Sequence, residues 1–184
     1  MMNKILVLYR SKYGASLRYA EMLKDAVFCD VIEISRYPFD TVGEYDLIVA
    51  VGGIYASGIS CMKYIRKHFQ ALPDRKLVIF AVGASPFDEK AFEAVREHNL
   101  KGLPSGIPMF YGRGTYDEGR MDFKDRTLCR MLKKSLSKKD PSTFEPWMKA
   151  LFEVDGKAGD WISEKYLEPL VEYIKMHTGF VSVI

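Results

Sequence analysis

Cysteine is scarce in this sequence, and long apolar runs are absent from it. The 184 residues include three cysteines, Cys29, Cys61 and Cys129, and no two of them form a Cys-x-x-Cys pair. An odd number of widely spaced thiols indicates neither a disulfide framework nor a zinc site. No apolar run is long enough to span a bilayer, and no secretory signal pattern opens the sequence. We therefore expect reduced thiols and a cytoplasmic location.

Two widespread phosphate-binding motifs are also missing. The sequence has no Gly-x-x-x-x-Gly-Lys-Ser/Thr segment, which excludes a P-loop protein. It has no Gly-x-Gly-x-x-Gly after a strand, which excludes the dinucleotide-binding fingerprint.

Charge of one sign is not in large excess, because the net charge is only +3. A charge this small does not by itself indicate nucleic acid, and we predict no nucleic-acid partner.

What the sequence does contain is an alternation of short apolar strands and amphipathic helices. The strands are predicted over 4–9, 30–34, 46–51, 76–82 and 107–111, and the helices over 17–27, 58–69, 88–99, 122–136 and 163–177. This alternation predicts an α/β fold with a doubly wound, five-stranded parallel sheet in the order 2-1-3-4-5. We expect a single domain over residues 1–184, in which 119–160 form a basic helical insert and a polar connector.

The first turn of this predicted sheet has the composition of a phosphate cradle. The first strand is followed by Ser11-Lys12-Tyr13-Gly14-Ala15-Ser16, and a helical pattern begins at once. Free backbone N–H groups and the dipole at a helix N-terminus favour an anion. Ser11 and Ser16 add hydroxyl donors, and Gly14 lets the backbone approach a phosphate closely. The alternative is a loop that only caps the helix.

The loops after strands 1, 3 and 4 meet in this topology at the crevice where the strand order reverses. All three are rich in small residues, which let a flat ligand approach the backbone, and Tyr55 is available for stacking. Tight turns alone also favour such residues, but convergence of three loops favours a ligand site. Receiver domains of the same fold need carboxylates where this chain has Tyr9-Arg10 and Val51-Gly52, so that class is excluded. The predicted cofactor-binding residues are Ser11, Lys12, Tyr13, Gly14, Ala15, Ser16, Gly53, Ile54, Tyr55, Ala56, Ser57, Gly83, Ala84, Ser85 and Pro86.

These residues resemble the flavodoxin family. Flavodoxins bind the FMN phosphate with a Thr/Ser-x-Thr-Gly-x-Thr loop after strand 1, which Ser11, Gly14 and Ser16 match, with Tyr13 in place of the middle Thr. The resemblance implies FMN as the cofactor, Tyr55 stacked on its isoalloxazine ring, and residues 83–86 on the other side of that ring. It also implies electron transfer with a redox partner protein or a quinone.

The segment after the fifth strand resembles a narrower branch, the flavodoxin-like protoporphyrinogen dehydrogenases. Tyr111-Gly-Arg-Gly-Thr-Tyr116 and the basic stretch after it are similar to the extra segment of that branch. This implies an alternative function, a quinone-linked FMN-dependent oxidoreductase acting on protoporphyrinogen or a similar bulky apolar substrate. A third hypothesis is a binding module that has the fold but no flavin. No catalytic acid or base and no metal site are predicted, because His68, His98 and His177 lie on predicted helices away from the three loops.

The charge balance also leads to an expectation about redox potential. The isoelectric point is about 8.6, and Lys12 and Arg113 are expected near the ring. Cations favour the negative charge that two-electron reduction adds to a flavin. We therefore predict a less negative two-electron potential than in acidic flavodoxins.

The helix predicted over 122–136 has two interpretations. An apolar stripe of Leu128, Met131, Leu132 and Leu136 lies opposite a basic face. Either the stripe packs back on the domain, or the helix offers a surface to an acidic partner or, peripherally, to an anionic membrane. The apolar tail over 180–184 suggests either a covered sheet edge or a homodimer contact.

Overall fold

Apolar runs form the strands of this protein because both faces of each are covered by helices. The computed structural model describes residues 4–72, 77–154 and 158–178. The strands are β1 (Ile5–Arg10), β2 (Asp30–Glu33), β3 (Leu47–Tyr55), β4 (Gly58–Ile59), β5 (Leu77–Gly83), β6 (Met109–Arg113), β7 (Thr115–Tyr116) and β8 (Gly159–Asp160). The helices are α1 (Ala15–Ala26), α2 (Met62–His68), α3 (Glu89–Leu100), α4 (Phe123–Leu136), α5 (Pro146–Glu153) and α6 (Glu168–Thr178).

The five long strands form one parallel sheet in the order β2-β1-β3-β5-β6. Counted along the chain, this is the predicted order 2-1-3-4-5, so the α/β doubly wound fold is confirmed. The register aligns Arg10 with Gly52, and Gly53 with Val82. The loops after β1, β3 and β5 therefore leave the sheet at one edge, on either side of the point where the strand order reverses.

Two apolar layers cover the faces of the sheet. On one face α2 and α3 pack against the strands, with Ile65 fully buried. On the other face α1 and α6 contribute Tyr19, Leu23 and Leu170, each with no exposed surface. Full burial of a side chain of this size contributes about 2 kcal/mol. This packing fixes the helices against the sheet and so stabilises the carboxyl ends of the strands, where the loops begin.

The structure corrects two sequence predictions. The helix expected from residue 58 begins at Met62, because Gly58–Ile59 instead pair antiparallel with Ile54–Tyr55 and close a hairpin. The expected connector contains helix α5, which begins with Pro146, a residue suited to the first helical position. The start of the fourth predicted strand, Lys76, and the apolar tail over 180–184 lie outside the described residues.

The apolar stripe of helix α4 is more exposed than the first of its two interpretations predicts. Of the four residues in its apolar stripe only Leu136 is buried, whereas Leu128, Met131 and Leu132 are 52 %, 64 % and 40 % exposed. Leu136 packs on the domain, Leu128 and Leu132 face the crevice beside the loops, and Met131 does not line that crevice, so the first interpretation holds for only part of the stripe. None of the helices in the described ranges has both the length and the apolar character needed to cross a membrane.

Candidate functional site

The loop after β1 presents free donors at the start of α1. Gly14 has a φ of +98°, a left-handed conformation that favours glycine, and its N–H donates to the Ser11 hydroxyl at 3.0 Å. The first hydrogen bond of the helix runs from the Arg18 N–H to the Gly14 carbonyl. The N–H groups of residues 15–17 precede that bond and have no acceptor within the helix, and they lie at the positive end of the helix dipole.

The loop after β3 is a strained hairpin turn. Strand β3 continues to Tyr55, and Ala56 and Ser57 both have positive φ, at 47° and 68°. Two left-handed residues in succession are typical of a type I′ turn, in which glycine and asparagine are the usual residues. Each non-glycine residue in this conformation costs on the order of 1 kcal/mol, so neighbouring contacts must hold the turn.

Asn99, at the end of α3, supplies those contacts. Its side-chain amide donates to the Ser57 carbonyl at 2.6 Å and to the Val95 carbonyl at 2.7 Å. Its side-chain oxygen accepts from the Ile59 N–H at 2.8 Å. The residue is 4 % exposed, so these bonds are shielded from water. This role of Asn99 could not be predicted, because nothing in the local sequence distinguishes it from any polar residue near a helix end.

Tyr55 is placed at the tip of β3, beside the first loop. Its ring lies edge-on to Tyr13, with 6.2 Å between the ring centroids. The side chain is 37 % exposed, and burial of the remainder raises its pKa to about 12. The phenol is therefore neutral at physiological pH, and it offers an uncharged aromatic surface at the crevice.

The loop after β5 is held by the strand next to it. The Tyr111 hydroxyl donates to the Ser85 carbonyl at 2.6 Å, and Arg113 Nε donates to the Ala84 carbonyl at 3.0 Å. The Arg113 guanidinium lies 3.9 Å from the centre of the Trp161 ring. Both backbone acceptors belong to predicted site residues, so β6 fixes the position of this loop.

Gly114 lies where the first and third loops approach each other. Its N–H donates to the Gly83 carbonyl at 2.7 Å. A Cβ atom on Gly114 would stand 2.7 Å from Val82 Cγ1 and 3.1 Å from Ala15 Cβ. Only a residue without a side chain allows the two loops to come this close.

Helix α4 is tied to the first loop by its own N-terminal carboxylates. The ammonium group of Lys12 lies 2.8 Å from Asp122 Oδ2 and 2.6 Å from Asp125 Oδ2. The Tyr13 hydroxyl also donates to Asp125, at 2.6 Å. Bonds from Lys12 and Tyr13 lower the pKa of Asp125, and the two carboxylates raise the pKa of Lys12. We call these contacts the α4 latch, and they place the first turn of α4 over the crevice.

The three loops and α4 enclose a cavity of about 330 Å³, a size typical of small-molecule sites. Ten of the fifteen predicted residues line it: Ser11, Tyr13, Ala15, Ser16, Gly53, Ile54, Tyr55, Ala56, Gly83 and Ala84. Lys12, Gly14, Ser57, Ser85 and Pro86 are not part of this lining. Gly14 instead borders a neighbouring cavity of about 380 Å³. The structure thus brings the predicted loops together at one place.

The lining also includes residues that sequence analysis missed. Apart from Val82 of β5, they come from the segment after β6 and from α4: Gly114, Thr115, Tyr116, Met121, Asp125, Leu128, Cys129 and Leu132. Asp125, Leu128 and Leu132 are spaced three and four residues apart, so they share one helix face. That spacing was visible in the sequence, but nothing in the sequence showed that this face would turn toward the loops.

The histidines and Cys61 lie outside the cavity lining and take part in packing. His68 stacks on Phe39 and His177 on Tyr173, and none of the three histidines lines the cavity. Cys61 has no exposed surface, and burial raises its thiol pKa to about 12. Its place before α2 therefore reflects packing rather than thiolate chemistry.

The chain matches a known protein family over most of its length. Residues 6–143 match the family model described as a flavodoxin domain, which is well over half of the chain. No curated protein is significantly similar to the chain.

The solved structures that are similar to this chain have low sequence identity to it. The Trp repressor binding protein of Bacillus subtilis is 16 % identical, with a TM-score of 0.47, over 60 % of this chain and 84 % of its own. A flavodoxin of Megasphaera elsdenii is 15 % identical, with a TM-score of 0.41, over 58 % of this chain and 82 % of its own. A flavodoxin from the domain Archaea is 13 % identical, with a TM-score of 0.41, over 83 % of this chain and 99 % of its own.

Proposed function

Because the chain belongs to the flavodoxin domain family, we propose that it binds FMN in the cavity between the three loops and α4, and that it transfers electrons. The observation that carries this proposal is the convergence of the three loops at the point where strand order reverses, which brings Ser11, Ser16 and Tyr55 to the wall of one cavity. A flavin supplies the redox chemistry when it is bound, and the protein binds, orients and shields it.

The donor set of the first loop suits a phosphate group. The N–H groups of residues 15–17 lie at the positive end of the α1 dipole, and the first turn of α1 contains no acidic residue that would repel an anion. Ser11 and Ser16 add hydroxyls at the cavity wall. Tyr13, which replaces a threonine of the family motif, turns its hydroxyl to Asp125 instead. These residues would therefore hold the phosphate through backbone N–H groups and two serine hydroxyls.

The remaining lining suits a flat apolar ring. Ile54, Tyr55, Val82 and Ala84 present carbon surface, and the Tyr55 ring lies over Gly53, where a Cβ atom would stand 2.8 Å from Tyr55 Cε2. Within the described ranges, no buried side-chain nitrogen or oxygen lacks a hydrogen-bond partner. The site therefore does not require polar ligand groups beyond those that backbone and serine donors serve.

The charges around the cavity differ from the expectation made for Lys12. That side chain is paired with Asp122 and Asp125, so its positive charge is offset rather than directed at a ring. Asp125, in contrast, lines the cavity, and a carboxylate there opposes addition of negative charge to a flavin. Arg113 is held at the Ala84 carbonyl and remains a nearby cation. Asp125 and Arg113 are therefore the residues that we propose to set the potential.

Asp125→Asn is expected to raise the two-electron midpoint potential of bound FMN, because it removes a carboxylate from the cavity wall while Lys12 keeps Asp122 as its partner. A change on the order of 30 mV corresponds to a tenfold change in the reduction equilibrium. Redox titration of the reconstituted protein measures it. Asp25→Asn is the matched control, since it removes one exposed carboxylate near the other end of α1. Equal shifts in both variants, or a lower potential in Asp125→Asn, would contradict the assignment.

Visible absorption of the purified protein tests the cofactor. We expect a yellow protein, or a colourless one that takes up one equivalent of FMN with a shift in the flavin spectrum. A colourless protein that FMN does not reconstitute would refute FMN binding and favour the hypothesis of a binding module without flavin. A flavin that binds but neither accepts nor passes on electrons would refute electron transfer alone.

A second candidate function is favoured by the wall that α4 adds to the cavity. Met121, Leu128 and Leu132 extend the apolar lining beyond the three loops, which suits a bulky apolar substrate next to the ring. This observation supports the alternative of a quinone-linked oxidoreductase acting on protoporphyrinogen or a similar molecule. Turnover of protoporphyrinogen by the FMN-loaded protein, with and without menaquinone, distinguishes the two functions. Turnover that depends on the quinone favours the second, and its absence with an intact flavin favours electron transfer between proteins.

A further inference from the structure

Helix α4 presents large apolar side chains to solvent. Phe123 is 85 % exposed and Met131 is 64 % exposed. Burial of a single side chain of this size contributes about 2 kcal/mol. A partner that covers both side chains would therefore gain free energy from removing them from water. Both side chains lie outside the cavity lining, so a bound flavin would not cover them.

The same side of α4 carries positive charge. Basic and apolar residues alternate at a helical spacing that places them on one side of α4, away from the cavity. We call this surface the basic–apolar face, and it consists of Phe123, Lys124, Arg130, Met131 and Lys134 of α4, together with Lys138 just after the end of the helix.

These lysines are not neutralised by the protein. Lys124, Lys134 and Lys138 form no ion pair with any residue in the ranges that the structure describes. The cations of α4 that are engaged, Lys133 with Glu118 and Arg126 with backbone carbonyls, point to the protein side. The helix thus separates cations that serve the fold from cations that remain free for a partner.

We infer that the basic–apolar face binds the surface of an anionic lipid bilayer. Lysines beside exposed Phe and Met side chains match the pattern of helices that lie in a membrane interface, where the apolar groups enter the acyl boundary and the ammonium groups reach the headgroups. Protein–protein interfaces are instead depleted in lysine, which disfavours an acidic protein as the occupant. Helix α4 has 14 residues, so it would lie along the bilayer for about 21 Å.

Docking in this orientation would bring the cavity near the membrane. Leu128 lines the cavity and is also 52 % exposed, so it lies where the cavity wall meets the outward side of α4. A membrane-bound protein would therefore hold one edge of its cavity at the lipid boundary. This inference does not depend on FMN binding, because neither Phe123 nor the lysines of the basic–apolar face line the cavity.

Vesicle co-sedimentation tests the inference with the full chain and no added flavin. We expect binding to mixed phosphatidylcholine–phosphatidylglycerol vesicles, little binding to pure phosphatidylcholine vesicles, and weakening by salt. Lys124→Gln/Lys134→Gln should reduce the vesicle partition coefficient roughly tenfold or more. Phe123→Ser should also reduce it, without changing the net charge. Both sets of side chains are exposed, and circular dichroism verifies that the variants fold.

Lys24→Gln/Lys67→Gln is the matched control, because it removes two exposed lysines from α1 and α2 and should bind as the unmodified chain does. Equal loss in the control would show a diffuse charge effect and overturn the inference. Failure to bind anionic vesicles would also overturn it and leave the face to an acidic protein. None of these results affects the FMN test, which uses absorption of the protein in the absence of lipid.

Discussion

Gly114→Ala is expected to weaken FMN binding at least tenfold and to destabilise the fold by about 1–3 kcal/mol. The added methyl group would stand 2.7 Å from Val82 Cγ1 and 3.1 Å from Ala15 Cβ, so Val82 or the start of α1 must move. Movement of α1 displaces the free N–H groups of the first loop, and movement of Gly114 strains its bond to the Gly83 carbonyl. Either shift separates the two loops that we propose to hold the phosphate and the ring.

Gly43→Ala is the matched control for this prediction. A Cβ atom there would meet nothing within 4 Å, and Gly43 lies in a short turn of helix before the start of β3 and does not line the cavity. We expect a change in stability within about 0.5 kcal/mol and unchanged FMN affinity. Denaturant unfolding and FMN fluorescence titration measure both quantities. Wild-type affinity in Gly114→Ala would show that close approach of the loops is not needed for binding.

Asn99→Leu should lower the free energy of unfolding by about 2–4 kcal/mol, because it removes three hydrogen bonds at a position 4 % exposed. The Ile59 N–H would remain buried without its acceptor, and the Ser57 carbonyl would lose its donor. The left-handed residues Ala56 and Ser57 would then be free to relax. We therefore expect weaker FMN binding as well, since Tyr55 belongs to the same hairpin.

Thermal unfolding measures this effect, and a loss of about 3 kcal/mol corresponds to a fall in Tm of roughly 10 °C for a chain of this size. His98→Ala is the control from the adjacent position of α3, where the side chain is exposed; it should change stability by less than about 0.5 kcal/mol. A similar Tm for Asn99→Leu and His98→Ala would mean that the hairpin is held by other contacts.

The fold could be predicted from the sequence because its signals are local and repeated. The apolar run of β1 indicates a strand that is buried on both faces. The helical spacing of Tyr19, Ala20 and Leu23 indicates a helix that is buried on one face. Once strands and helices alternate, the handedness of the crossovers leaves few sheet orders. The same reasoning placed the three loops at one edge, and the structure brings ten of the fifteen predicted site residues to a single cavity.

The contributions of α4 could not be predicted in this way, because they depend on contacts between distant parts of the chain. Tyr13 and Asp125 are separated by 112 positions, and no local pattern relates them. The same holds for Asn99 and the hairpin 40 positions before it. Lys12 was expected near the site as a cation, and only the structure shows that Asp122 and Asp125 engage it. Its charge was evident in the sequence, but its partners were not.

The proposed phosphate cradle is tested most directly by comparing the dissociation constants of FMN and riboflavin for the purified apoprotein. The two ligands share the isoalloxazine ring and differ in the phosphate group. Hydrogen bonds to a charged group contribute about 1.5–3 kcal/mol each, so two or more of them predict binding of FMN at least about a hundredfold tighter than riboflavin. Equal affinities would contradict a phosphate site at Ser11, Ser16 and the start of α1, and with it the account of the cavity given above.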